Sequence, residues 1–234
     1  MNLKNQTGRS MIEMLGVLAI TGVLSVGGLA GYSKAMIKFK TNKTIDEIIT
    51  IATNIQTLFA NQKTYEGTAV GCGNNGTEIC KDEFNTNKNS DLEFLKNAGV
   101  FPEDMIVDNK LINPFNGNVW ISSWSPKYLF IVFENLPKEA CTTLATYDWG
   151  NSSSGYVGLN VVTTDWGNTT PMDCYPGYDR TTEWDSVKDG ELSACTWDKK
   201  IPHPVPPEIA AQGCNCRSNT CKISVQFDEY RYNY

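Results

Sequence analysis

Histidine is almost missing from this chain: His203 is the only one in 234 residues. Set between prolines in "IPHPVPP", it reads as an exposed linker residue, and its isolation excludes a catalytic or metal centre built on paired histidines. No nucleophile elbow, HExxH helix or phosphate-binding loop is present, so no enzyme site is recognisable. Carboxylate pairs are the one acid–base route that motif reading leaves open. Positive charge is also short. The formal net charge is -6, and no Lys/Arg stripe interrupts it, so nucleic acid is not an expected partner.

Cysteine is absent from the first 71 residues and then appears eight times, as Cys72, Cys80, Cys141, Cys174, Cys195, Cys214, Cys216 and Cys221. An even number confined to one side of an apolar segment reads as disulfides in an oxidising, extracytoplasmic compartment. Zinc is the rival for Cys214, Cys216 and Cys221, but a CxC followed by a four-residue gap lacks the paired CxxC knuckle. No metal or cofactor is expected.

Charge is missing from Met14 to Tyr32, and proline from residues 10 to 62. About 19 uncharged residues at about 1.5 Å each approach the hydrocarbon thickness of a bilayer. One reading is a cleaved secretory signal, with Lys4 and Arg9 as the basic region and cleavage after Ala30. Helical periodicity continues past that point, however, through Ile45, Ile48, Ile49, Ala52, Ile55, Leu58 and Phe59. The two stretches therefore read as one helix, apolar all round over residues 9–33 and one-sided over 34–62.

Two features make this more than an anchor. Gly16, Gly22, Gly27, Gly28 and Gly31 each weaken a helix by about 1 kcal/mol relative to alanine, yet small residues four apart let helices approach closely in lipid. Glu13 sits near the start of the apolar run, where an acidic side chain costs about 2.5–3.5 kcal/mol and calls for a partner.

These residues resemble the N-terminus of type IV pilins and of the pseudopilins of type II secretion. The match is the short polar leader "MNLKNQTG" ending in Gly8, then "RSMIEML" with Glu13 five positions after that glycine, then about twenty apolar residues. The resemblance covers roughly residues 1 to 35, and Arg9 departs from the Phe, Met or Leu usual there. It implies cleavage between Gly8 and Arg9 by a prepilin peptidase, methylation of the new N-terminus and a self-assembled helical filament packed through these helices. In that family the carboxylate matching Glu13 meets the N-terminal amine of a neighbour, here Arg9. Gly27, Gly28 and Gly31 would serve the same packing. The implied precursor is single-pass in the inner membrane, with residues 1–8 as leader and the head extracytoplasmic; assembly machinery then moves it into an extracellular pilus. Lys34, Lys38, Lys40 and Lys43 run against a positive-inside count, and the cysteine distribution outweighs them.

Residues 63–234 read as one disulfide-rich head. "SDLEFLKNAG" predicts a short helix with a Ser90/Glu93 capping box and Gly99 as its stop. "INPFNGNVWISSW" and "KYLFIVFE" predict an antiparallel pair with the second strand central, and "GYVGLNVVTT" a third strand. "LPKEACTTLAT" starts a helix at proline. "KISVQF" alternates as a half-exposed strand, Lys222, Ser224 and Gln226 facing water. The fold class is thus α+β, a long N-terminal helix on an antiparallel sheet, and it looks like a type IVb pilin head. The pairing that accompanies this resemblance is Cys141–Cys214, Cys174–Cys195, Cys216–Cys221 and Cys72–Cys80; only the last is suggested by local spacing, because eight cysteines allow about 105 connectivities.

Residues 165–212, turn-rich and proline-rich, read as a stapled surface insertion. Asp179, Glu183, Asp185, Asp189 and Glu191 lack EF-hand spacing and read as a solvated acidic face rather than a calcium site. Trp166, Trp184 and Trp197 suit either packing within the lobe or contact with a partner. Three functional classes compete: a pilus subunit or the related pseudopilin, a tethered or secreted adhesive domain using those tryptophans, and an unrecognised enzyme. The N-terminal pattern favours the filament subunit.

Overall fold

The structure, a computed structural model, describes residues 9–61, 90–108, 110–125, 128–150, 154–163, 185–196 and 200–228. Gly8, the expected Cys72–Cys80 bridge, Cys174, Trp166, Trp184 and Trp197 lie outside the described residues.

Helix α1 runs unbroken over Arg9–Leu58, as a stretch without proline permits. The chain divides into two compact units, Met1–Phe39 and Lys40–Tyr234. Within the first, α1 is apolar and uncovered from Met11 to Tyr32. Within the second it is one-sided: Ile45, Ile48, Ile51, Ala52, Ile55 and Phe59 are buried. Full burial of each larger side chain is worth about 1.5–3 kcal/mol, which fixes the helix against the sheet. Ile51 takes the place in this stripe that the sequence pattern assigned to Ile49, which is 40% exposed.

Helix α2, Ser90–Asn97, ends where the pattern puts its stop. Gly99 adopts φ +70°, and the amides of Gly99 and Val100 bond back to the carbonyls of Lys96 and Leu95. The Asn54 amide on α1 donates to the carbonyls of Gly99 and Val100, tying the two helices. A 3-10 turn (Glu103–Met105) leads to the small hairpin of β1 (Ile106–Val107) and β2 (Lys110–Leu111).

A six-stranded antiparallel sheet follows. Its strands are β3 (Val119–Ser125), β4 (Tyr128–Pro137), β5 (Tyr156–Thr163), β6 (Ser186–Lys188), β7 (Glu191–Cys195) and β8 (Thr220–Asp228), in the order β3-β4-β8-β5-β7-β6. β4 lies between β3 and β8, so the strand richest in apolar residues is interior. Before β3, Asn113 accepts from the amides of Phe115 and Gly117 and donates to the Glu134 carbonyl at 2.7 Å. A Cβ on Gly117 would stand 2.0 Å from that same carbonyl oxygen, so only glycine fits the close approach. Helices α3 (Lys138–Ala145), entered through Pro137, and α4 (Pro207–Gly213) pack together beside β8 and β7.

Three expectations are corrected. Part of the stretch 165–212 is no surface insertion: it supplies β6, β7 and α4, because Leu192, Ala194, Ile201 and Val205 bury in the main core despite their polar surroundings. The "KISVQF" strand is covered on both faces, with Lys222 3%, Ser224 1% and Gln226 0% exposed. Its second face adjoins a cluster of Trp120, Tyr128, Phe130 and Val132, which strand alternation alone does not reveal. Asp185 is buried, not on a solvated acidic face; its two oxygens accept from the amides of Cys195 and Ile201, each at 2.7 Å.

Candidate assembly surface

An uncovered apolar helix is the feature that soluble packing does not explain. From Met11 to Val26 the large side chains of α1 are each 60% exposed or more, and none of its most apolar 18-residue window is buried. Apolar area on this scale marks a lipid- or protein-binding surface. The polar groups within it are turned inward: Thr21 donates to the Val17 carbonyl, Ser25 to Thr21 and Ser33 to Leu29, at 2.7–3.0 Å. With hydroxyls satisfied by the helix's own backbone, the outer surface stays compatible with hydrocarbon.

Arg9 opens α1, and Glu13 follows one turn later on the exposed surface. At Gly27, Gly28 and Gly31 a Cβ would meet nothing within 4 Å, so no close approach among the described residues accounts for these glycines.

The head carries its own electrostatics. On α1, Lys43 pairs with Asp104 of the 3-10 turn and lies 3.9 Å from Glu47. That partnership holds the Asp104 carboxyl below, and the Lys43 ammonium above, their ordinary ranges. Glu47 is 3% exposed and its Oε2 lacks a hydrogen-bond partner, so burial pushes its carboxyl up to about 8, against the opposing pull of Lys43. On the sheet's second face Lys222 of β8 lies 2.8 Å from Glu134 of β4, with the Trp120 indole N–H donating to the same carboxylate oxygen at 3.3 Å.

His203 is a further correction. It is not an exposed linker residue: its ring packs edge-on against buried Tyr156, with Nδ1 3.4 Å from the phenol oxygen. Burial lowers its pKa and raises that of Tyr156. The proline-rich loop thus hides a core contact that its composition gives no sign of.

Two bridges are described, Cys141–Cys214 and Cys216–Cys221, the same as two of the four pairs expected above. They tie α3 to the end of α4 and close the turn into β8. Cys195 is also disulfide-bonded, its partner lying outside the described residues. The buried Lys222–Glu134 pair and Glu47 were missed by sequence reading; a lysine and a glutamate inside otherwise apolar strand and helix stripes were the available signals.

Comparison with known proteins gives a consistent result. The family described as Bundlin matches residues 35–191. Two curated relatives, each the major structural subunit of bundle-forming pilus, come from Escherichia coli O127:H6 (strain E2348/69 / EPEC) and Escherichia coli O111:H-. Each is 26% identical over 166 residues, which cover 69% of this chain and 74% of the relative.

Proposed function

The chain belongs to the bundlin family of pilins, structural proteins and not enzymes, and on that premise we propose that it is the structural subunit of a type IV pilus, assembled by packing of α1 helices. The observation that carries this reading is the uncovered apolar surface of Met11–Tyr32, which lipid and then other copies of the helix would bury.

The steps follow from the chemistry of that surface. In the precursor, α1 crosses the inner membrane and the disulfide-bearing head is outside it, where cysteines oxidise. A prepilin peptidase removes the leader after Gly8 and frees the Arg9 amine. An ammonium and a carboxylate attract strongly in low dielectric and are each costly alone, so the Glu13 carboxylate selects the register in which it meets a neighbour's Arg9 amine. Inner-membrane machinery then draws subunits from the bilayer into an extracellular filament. Exchange of lipid for helix contacts is close to neutral in hydrophobic energy, which leaves close packing at Gly27, Gly28 and Gly31 and the charge pair to favour the filament.

The test is Glu13→Gln. It removes the charge and keeps the shape, so the reading expects filaments to be lost while the membrane pool of processed subunit stays at wild-type level. Normal filament numbers in the Glu13→Gln variant would overturn the pairing.

A further inference from the structure

Two disulfides lie side by side in the core where α3, α4 and β8 meet. The Sγ atoms of Cys141, Cys214 and Cys221 are all within 4.8 Å of one another, and each residue is at most 1% exposed. Cys221 Sγ also lies 3.3 Å from the carbonyl oxygen of Cys214. Cys216 is bonded to Cys221, yet its sulfur is outside that group of three and lies 3.8 Å from the Val162 carbonyl on β5.

We infer that Cys141, Cys214 and Cys221 form a thiol–disulfide exchange centre, and that Cys216 keeps it closed by holding Cys221 oxidised. Cys216 is itself 1% exposed, so an external thiol, such as glutathione, reaches it when the turn into β8 opens locally: its thiolate bonds to Cys216 Sγ, the Cys216–Cys221 bond breaks, and the electron pair leaves on Cys221. The Cys221 thiolate then attacks Cys214 Sγ; a Cys214–Cys221 bond forms, the Cys141–Cys214 bond breaks, and Cys141 leaves as thiolate. Attack on Cys141 Sγ instead gives Cys141–Cys221 and a Cys214 thiolate. No electrons are gained or lost in either exchange.

Run in reverse, the same step helps the chain fold. Cys214, Cys216 and Cys221 are close in sequence, whereas Cys141 is 73 residues from Cys214, so local bridges close first. A wrong Cys214–Cys221 bridge is corrected when the Cys141 thiolate attacks Cys214 and expels Cys221, which an extracytoplasmic protein disulfide then oxidises with Cys216. Burial disfavours the thiolate, so exchange within the folded head speeds up as pH rises.

The experiment compares Cys216→Ser with Cys221→Ser in the full chain, purified without reductant in detergent, acid-quenched, thiol-labelled and mapped by mass spectrometry. In Cys216→Ser the odd thiol sits within the trio. The label is expected on Cys141, Cys214 and Cys221, with Cys141–Cys221 or Cys214–Cys221 peptides beside Cys141–Cys214. In Cys221→Ser the odd thiol is Cys216, outside the trio, and it alone takes the label. Label confined to Cys221 in the first variant, or equal scatter in both, overturns the inference. Should either variant fail to fold, wild-type chain with limiting glutathione gives the reading: Cys141–Cys221 peptides with Cys214–Cys216 support it, and native pairs throughout contradict it.

Discussion

Lys222 of β8 and Glu134 of β4 form an ion pair at 2.8 Å on the sheet face opposite α1, with the lysine 3% exposed. Their strands are hydrogen-bonded neighbours, and the Trp120 ring lies 5.7 Å from the same ammonium. Removing one partner of such a pair takes a counter-charge away from a buried ion. Glu134→Ala is expected to cost about 3–5 kcal/mol in a denaturant titration, and Lys222→Met with Glu134→Leu far less. Equal losses in the single and double variants would show that the pair is not the source of the effect.

Glu47 and His203 tilt the pH dependence in opposite directions. The Glu47 carboxyl is raised from 4.5 to about 8, so the folded chain binds the extra proton and stability falls as pH rises across that window. His203 is lowered from 6.5, so the unfolded chain binds the extra proton there and stability falls as pH drops through about 6.5 toward the folded value. Glu47→Gln is expected to flatten the fall with rising pH, which spans about pH 4.5 to 8, and to raise stability at pH 7 by about 3 kcal/mol. His203→Gln is expected to flatten the acid fall alone, which denaturation midpoints across the pH range will read.

The long-range bridge is the stronger staple. Closing a loop of 73 residues restricts the unfolded chain by about 4 kcal/mol, against about 2 for the five-residue loop of Cys216–Cys221. Replacing Cys141 and Cys214 together by alanine is therefore expected to lower the melting temperature more than replacing Cys216 and Cys221. The reverse order would mean that the bridges act through native packing instead.

Alanine at Gly27, Gly28 and Gly31 adds a Cβ with nothing within 4 Å of it among the described residues and favours the helix by about 1 kcal/mol each. Subunit levels in the membrane should hold, while filament number or flexibility changes because added methyl groups obstruct neighbouring helices. Filaments indistinguishable from wild type would remove these glycines from the assembly account.

The elements that the sequence displayed are those whose burial is one-sided or whose ends carry turn chemistry. The stripe on α1, the stop at Gly99, the entry of α3 at Pro137 and the β3–β4 pair follow directly from periodicity and caps. The misreadings share a cause. Lys222, Asp185 and His203 are polar residues held inside by specific partners, Glu134, two backbone amides and Tyr156, that are distant in sequence. Likewise β6 and β7 are short: β6 has no buried residue and β7 has four, Leu192 to Cys195, too brief a run for a period to show, so composition reads as loop. Of the assembly surface, the apolar run and its glycines were legible at once. What the fold adds is that, among the described residues, the side chains of that surface are exposed.

The most direct measurement is the N-terminal sequence and mass of the chain recovered from sheared surface filaments. The account predicts a mature chain that begins at Arg9, in filaments. A soluble chain that begins at Gly31, with none in the sheared fraction, would contradict it.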